Sequence, residues 1–102
     1  MIYFNNVSKI YKDATALNDV TFTVEAGEFV SVVGHSGAGK TTLVKMIIAE
    51  EIPSLGTDFF ESVNVNKIRN KDLTKLRRRI GTVFQDYKLL SNKTAYENIA
   101  FA

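Results

Sequence analysis

The sequence of 102 residues contains no cysteine and only one histidine. The absence of cysteine excludes disulfides and thiolate metal sites, and it suits a reducing compartment. The single histidine, His35, has no second histidine or cysteine with which to share a metal ion. No apolar run approaches the roughly 18 residues of a membrane span, and no signal peptide is visible. We therefore expect a cytoplasmic chain that is not itself embedded in a membrane.

The sequence also lacks a large excess of charge of one sign. Its 13 basic and 11 acidic residues leave a net charge of only +2. So small an excess does not imply a nucleic-acid partner. Basic residues do cluster between 67 and 79, where Lys71, Lys75 and Arg78 share one face of an amphipathic helical pattern. No aromatic residue is interleaved there to stack on bases. The cluster indicates a solvated helix surface and no nucleic-acid partner.

The first third of the chain is strand-like. Ile2–Phe4 and the alternating apolar residues of 20–24 predict strands, with polar turn material between them. Gly27 predicts a tight turn. The continuous apolar run Phe29–Val33 then predicts a strand that is buried on both faces of a parallel sheet.

Helix and strand patterns alternate in the rest of the chain. Apolar residues spaced three and four apart predict a helix from near Lys40 to before Pro53. A hairpin is predicted at 59–65, and Asn70 is predicted to cap a short helix that follows it. Another buried strand is predicted at 83–84. The residues expected to face inward on the second helix are Leu73, Leu76 and Ile80.

A phosphate-binding motif lies between the predicted strand at 29–33 and the helix after it. Gly34–Thr41 reads GHSGAGKT and fits G-x-x-x-x-G-K-[ST] in the context that this motif requires. Its glycines let backbone N–H groups turn inward, and the helix N-terminus adds partial positive charge. Lys40 would reach the β- and γ-phosphates, Thr41 would bind Mg²⁺ and Thr42 an inner phosphate. The alternative, a glycine-rich turn that only connects strand to helix, does not explain the complete match.

The order of three features resembles the ATP-binding subunits of ABC transporters. Tyr11 precedes the phosphate loop, and VFQD, ending at Asp86, follows it. The resemblance implies that Tyr11 stacks on adenine and that Gln85 contacts Mg²⁺ and senses a transmembrane partner. The cofactors are then ATP and Mg²⁺, with Thr41 and Gln85 as the metal-binding residues. The expected nucleotide-binding residues are Tyr11, Gly34, His35, Ser36, Gly37, Ala38, Gly39, Lys40, Thr41, Thr42 and Gln85.

Three segments narrow the resemblance within this family. GHSGAGKTTL, RRRIGTVFQDYKLL and NKTAYENIAFA look most like the FtsE group of cell-division ATPases. That likeness implies an integral membrane partner, an FtsX-like permease, that binds around Gln85–Leu90. It also implies an ATP-dependent homodimer of the full-length form, peripheral at the inner face of the cell membrane.

Other functions remain open on the sequence alone. Lipoprotein-releasing and macrolide-export ATPases are similar, and the chain could be a nucleotide-binding module without turnover. A small P-loop kinase or GTPase is disfavoured, because NKTA at Asn92–Ala95 lacks the aspartate of the base-reading motif N-K-x-D.

The resemblance also has local departures and gaps. Ala49 stands where the family usually has a helix-ending glycine, and Glu61-Ser62 replaces a glycine-containing hairpin turn. The family's LSGGQ-like signature, its Asp-Glu strand and its switch histidine do not occur, so no catalytic residue is assigned. We expect residues 1–102 to be the N-terminal part of an ABC-type nucleotide-binding domain. Its helical subdomain would begin near residue 94, at the capping box Thr94–Glu97.

The expected fold is accordingly α/β, a P-loop NTPase of ABC type. It should combine an N-terminal antiparallel β portion with a partial parallel core sheet and the P-loop helix.

Overall fold

The structure, a computed structural model, describes residues 1–35, 37, 39–86 and 88–102. Four strands form one antiparallel sheet in the spatial order β2-β1-β3-β4. A short 3₁₀ helix and three α-helices complete the described elements. These elements are β1 (Ile2–Tyr11), β2 (Ala14–Val24), α1 (Lys40–Ile47), β3 (Leu55–Phe60), β4 (Val63–Asn64), the 3₁₀ helix Val65–Lys67, α2 (Asn70–Arg78) and α3 (Ala95–Phe101).

The β1–β2 hairpin confirms the two strands predicted near the N-terminus and extends both. A paired irregularity interrupts it, because Asn6 and Asp19 both have left-handed backbones with φ of 50° and 51°. Their side chains meet, with Asn6 Nδ2 donating to Asp19 Oδ1 at 2.8 Å. Asn and Asp tolerate this conformation better than most residues. The resulting register shift lets Phe4 and Val7 both lie in the core, although three positions separate them.

The core lies between the β1–β2 hairpin and α1. Its buried members are Phe4, Val7 and Leu17 from the sheet and Leu43 and Met46 from the helix. The helical pattern that predicted α1 therefore marks a face that is buried against the sheet. This packing fixes the start of α1 beside the end of the hairpin, which is where the candidate site lies.

Ala49, two residues after the end of α1 at Ile47, has a left-handed backbone with φ of 61°. This confirms that the position needs a left-handed residue, which the sequence fills with alanine instead of glycine. Arg77 of α2 reaches across, and its guanidinium donates to the carbonyls of Ile48 at 3.0 Å and Ala49 at 3.4 Å. The guanidinium thereby satisfies the carbonyls of the two residues that follow α1.

The β3–β4 hairpin has a two-residue turn at Glu61-Ser62. Phe60 pairs with Val63, and the two turn residues have φ of 50° and 66°. Positive φ at both central positions is the type I′ geometry, which glycine and asparagine favour. The replacement of glycine noted in the sequence therefore falls on a turn that needs left-handed residues.

Two predicted strands are wrong. Residues 29–33 form no strand, with Phe29 95% and Val33 88% exposed. Residues 83–84 likewise form none, and Val83 is 99% exposed. The reason is that a strand exists only through pairing, and within the described residues neither stretch has a ladder partner. The described sheet is thus the antiparallel portion alone, without the predicted parallel part.

The helices after the sheet follow the prediction with one correction. Asn70 is the first residue of α2 and not its cap, because Arg69 occupies the cap position without a side-chain hydrogen bond. Leu76 is buried and Leu73 and Ile80 are half-buried, as expected. The predicted capping box opens α3, with Thr94 and Glu97 bonded reciprocally.

Within the described residues, no helix has the length and hydropathy to cross a bilayer.

Candidate nucleotide-binding site

A cleft of about 540 Å³ opens where the β1–β2 hairpin meets the start of α1. The end of β1 and the first residues of β2 form one wall, and the glycine-rich loop with the first turn of α1 forms the other. Gln85, far along the chain, closes one side. The lining residues are Tyr11, Ala14, Thr15, Ala16, Gly37, Gly39, Lys40, Thr41, Thr42 and Gln85.

The loop owes its shape to two glycines. Gly37 and Gly39 have φ of 83° and 93°, a region that side chains disfavour. Gly39 also lies so close to the carbonyl of Ala16 that a Cβ would overlap it. The loop is therefore seated directly on β2, and only glycine allows that contact.

The N-terminus of α1 points into this cleft without a side-chain cap from the described residues. Gly39 is its cap residue, and its first turn contains no acidic residue. Unpaired N–H groups and the positive end of the helix dipole suit an anion at this position. The geometry fits a phosphate group.

Lys40 folds back over the loop that precedes it. Its Nζ donates to the carbonyl of Gly34 and, at 2.9 Å, to that of His35. These bonds hold the ammonium over the loop. Gly34 and His35 therefore contribute to the candidate site through their backbone carbonyls. The side chain of His35 is exposed and does not line the cleft. The predicted site residues Ser36 and Ala38 lie outside the described residues.

Tyr11 and Thr42 connect the two walls of the cleft. The Tyr11 hydroxyl lies 3.5 Å from Thr42 Oγ1, and the tyrosine side chain is 38% exposed. An aromatic ring at the cleft wall offers a flat apolar surface beside the phosphate loop. Such a surface suits a nucleotide base.

Thr41 and Gln85 supply neutral oxygen atoms to the same cleft. Hydroxyl and amide oxygens are hard donors of the kind that Mg²⁺ accepts, and protein sites for Mg²⁺ often provide only one or two ligands beside phosphates. Within the described residues, no cluster of three His, Cys, Asp or Glu could hold a metal ion alone. The residues present therefore fit Mg²⁺ bound together with a phosphate.

Sequence reasoning missed part of the site. Ala14, Thr15 and Ala16 form a wall of the cleft, yet no motif marks them. The available signal in the sequence was Gly39, the second fixed glycine of the motif, because a glycine at that position indicates a close backbone neighbour somewhere in the fold.

The ABC transporter family matches residues 17–102 of this chain. The chain belongs to the ABC transporter family. The match includes the phosphate loop, α1 and Gln85. It confirms the family resemblance and the ABC-type P-loop fold class expected from the sequence, although the described residues contain only the antiparallel part of the expected sheet.

Curated relatives extend across the whole chain. The cell division ATP-binding protein FtsE of Mycobacterium tuberculosis is 43% identical over 104 residues, covering 100% of this chain and 45% of the relative. The methionine import ATP-binding protein MetN 2 of Bacillus cereus is 43% identical over 105 residues, covering 99% of this chain and 31% of the relative. The chain thus spans less than half the length of these relatives.

A solved bacterial ABC transporter cassette has the same fold. In its dimeric form it matches with a TM-score of 0.89 and 38% identity, covering 99% of this chain and 46% of the cassette. A post-hydrolysis dimer of that cassette, bound to ADP and Pi, matches with a TM-score of 0.87.

Proposed function

We propose that the chain binds Mg²⁺-ATP in the cleft between Tyr11 and the glycine-rich loop, as part of the ATP-binding subunit of an ABC-type membrane complex. One observation carries the proposal. A single space of about 540 Å³ brings together a tyrosine ring, a lysine, two residues with neutral oxygen atoms, and a helix N-terminus that no described side chain caps.

The phosphates are assigned to the loop and the first turn of α1. Backbone N–H groups in the first turn of α1 face the anion, and Thr42 contacts an inner phosphate. Lys40 already lies over the loop, so a small rotation of its flexible side chain moves the ammonium from the carbonyls to the β- and γ-phosphates. Charge-assisted hydrogen bonds to phosphate are stronger than those to a neutral carbonyl. The exchange is therefore favourable.

Mg²⁺ is assigned to Thr41 and Gln85. When bound, it supplies positive charge to the outer phosphates. Gln85 follows a mostly exposed stretch of chain and lines the cleft. We propose that Gln85 links the bound Mg²⁺ to the segment 85–90 that begins with it.

The biological role is proposed from the relatives. The likeness to FtsE supports a subunit that acts in cell division with an integral membrane partner, an FtsX-like permease. Residues 85–90 are the proposed docking segment, because Leu89 is 68% exposed where a solvated loop would not favour leucine. The subunit would then lie in the cytoplasm at the inner face of the membrane. The dimeric cassette supports a homodimer of the full-length form.

The likeness to MetN favours a second candidate, the ATP-binding subunit of a methionine importer. Both candidates share the nucleotide site and differ in the membrane partner. Co-purification of the full-length protein with its partner separates them.

Thermal unfolding tests the site. Mg²⁺-ATP at about 100 times its dissociation constant should stabilise the chain by roughly 2.7 kcal/mol. Lys40→Ala should abolish most of that gain, because it removes the cation nearest the loop. Lys45→Ala is the matched control, since Lys45 is exposed on the same helix and does not line the cleft. An equal ATP-dependent gain in folded Lys40→Ala protein would contradict the site.

A further inference from the structure

Lys9, near the end of β1, has a side chain that is held in one place. Its Nζ donates to the Ile52 carbonyl at 2.7 Å and lies 3.2 Å from Glu51 Oε2, and its side chain is only 15% exposed. Lysine side chains on strand surfaces are usually mobile and solvated. Two partners from the connection between α1 and β3 therefore fix this one.

The fixed ammonium lies over the ring of Tyr11, 5.3 Å from the ring centroid. This is within the distance at which a cation is attracted to an aromatic face. The other end of Tyr11, its hydroxyl, lies 3.5 Å from Thr42 Oγ1. The ring thus has one face covered by a cation and its tip directed at the phosphate loop.

The strand that presents Tyr11 is tied to the same connection. Ser54 donates its backbone N–H to the Ser8 carbonyl at 2.8 Å and accepts from the Ile10 N–H through its hydroxyl at 3.0 Å. The last residues of β1 therefore form one unit with 51–54, and Lys9 extends that unit to the ring.

We propose that Lys9 is a positioning residue for the nucleotide base: it holds the Tyr11 ring so that the face opposite the ammonium receives the base. The inference rests on the proposed function. A ring fixed before binding loses less conformational entropy when the base stacks on it, so affinity rises without any contact between Lys9 and the nucleotide. Because the ammonium lies over one face of the ring, the proposed stacking uses only the other face.

A plainer account is that Lys9 only ties β1 to the connection after α1. The two accounts differ in what they predict for ligands. A tether affects every ligand through the stability of the fold, whereas a base-positioning residue affects only ligands that have a base.

The test compares Mg²⁺-ATP with Mg²⁺-tripolyphosphate, which lacks the base, by calorimetry on the chain. Lys9→Met keeps the apolar stem and removes the charge. We expect its affinity for ATP to fall about threefold to tenfold, with the affinity for tripolyphosphate unchanged. Lys9→Arg keeps the cation and should retain the wild-type ratio of the two affinities.

A double-mutant cycle with Tyr11→Ala identifies the route of the effect. If Lys9 acts through the ring, Lys9→Met causes no further loss of ATP affinity once Tyr11 is alanine. Lys12→Met is the matched control for long-range charge, because Lys12 lies exposed in the turn after Tyr11. If Lys9→Met does not fold, Glu51→Gln loosens the anchor and should shift the same ratio in the same direction.

The outcomes separate the two proposals. If wild-type chain binds ATP and Tyr11→Ala weakens it while Lys9→Met does not, the role of Lys9 is wrong and the nucleotide site stands. If Lys9→Met loses equal affinity for ATP and for tripolyphosphate, the base-positioning role is also wrong, and Lys9 only ties β1 to the connection after α1. If the wild type binds neither ligand, the proposed function fails and the inference fails with it.

Discussion

Asp58 is the residue whose chemistry fits its surroundings least well. It lies in β3 opposite Phe4, is 1% exposed, and neither carboxyl oxygen has a hydrogen-bond partner among the described residues. Burial of this carboxyl raises its pKa from 3.8 to about 6. Because desolvation disfavours the charged form, the folded chain holds the proton more tightly than the unfolded chain does.

This pKa sets a pH dependence of stability. The cost of Asp58 is smallest below its unfolded pKa of 3.8, grows as pH rises toward about 6, and is complete above that value. Asp58→Asn does not titrate and should remove the dependence. Relative to this variant, the wild type should lose about 2 kcal/mol of unfolding free energy between pH 4.5 and 7.5. Urea unfolding followed by circular dichroism at both pH values measures the difference.

Asp13→Asn is the control for that measurement, because Asp13 is exposed in the turn between β1 and β2. It should leave the difference between the two pH values as in the wild type. A wild type and Asp58→Asn protein with parallel pH profiles would show that Asp58 has a partner that the structure does not contain.

At the scale of elements, the two ends of α1 have different roles. Its N-terminus is free of side-chain caps from the described residues and faces the cleft, which suits an incoming anion. Its C-terminus is closed by the left-handed Ala49 and by the guanidinium of Arg77. The contacts at the C-terminus stabilise α1, and its N-terminus is left facing the candidate phosphate site.

Replacement of Ala49 by glycine should stabilise the chain. A left-handed backbone costs a residue with a Cβ about 1–2 kcal/mol, and the greater freedom of glycine in the unfolded chain offsets part of this. We expect Ala49→Gly to raise the unfolding free energy by about 0.5–1 kcal/mol. Ala14→Gly, in the regular backbone of β2, should do the opposite. Destabilisation by both changes, in urea unfolding, would mean that Ala49 is not strained.

The elements also show what a sequence pattern can predict. Local signals were sufficient for α1, for the capping box of α3, and for the first residues of β1 and the last residues of β2. The apolar run Phe29–Val33 was misread, because apolar content indicates a preference for burial but does not provide the neighbouring strand. The paired shift at Asn6 and Asp19 was also missed, since it depends on two residues that meet across strands.

At the scale of the whole molecule, the phosphate side of the candidate site was predictable from the sequence and its base side only in part. The loop motif is contiguous, so its geometry follows from local residues. The stacking role of Tyr11 was predicted only from the family resemblance. The position of Lys9 depends on contacts with Glu51 and Ile52, which are more than 40 positions away in sequence, and no pattern in the sequence predicts such contacts.

The cleft as a whole also predicts that this chain binds ATP without efficient turnover. Phosphoryl transfer to water needs a group that orients the nucleophile. Among the described residues that line the cleft there is no carboxylate and no imidazole. Asp86, the nearest acid in sequence to Gln85, lies outside that lining, with its carboxylate 3.3 Å from Lys88 Nζ.

We therefore expect phosphate release by the purified chain at least a hundredfold below roughly 1 per second, even when Mg²⁺-ATP saturates the site. Binding and turnover must be measured on the same preparation, because an unfolded chain would also be inactive. Lys40→Ala distinguishes the chain's own activity from a contaminating ATPase, since only the former depends on the loop lysine. Turnover near 1 per second that disappears in Lys40→Ala would mean that a residue of this chain orients water. The assignment of roles within the cleft would then be wrong, although nucleotide binding there would stand.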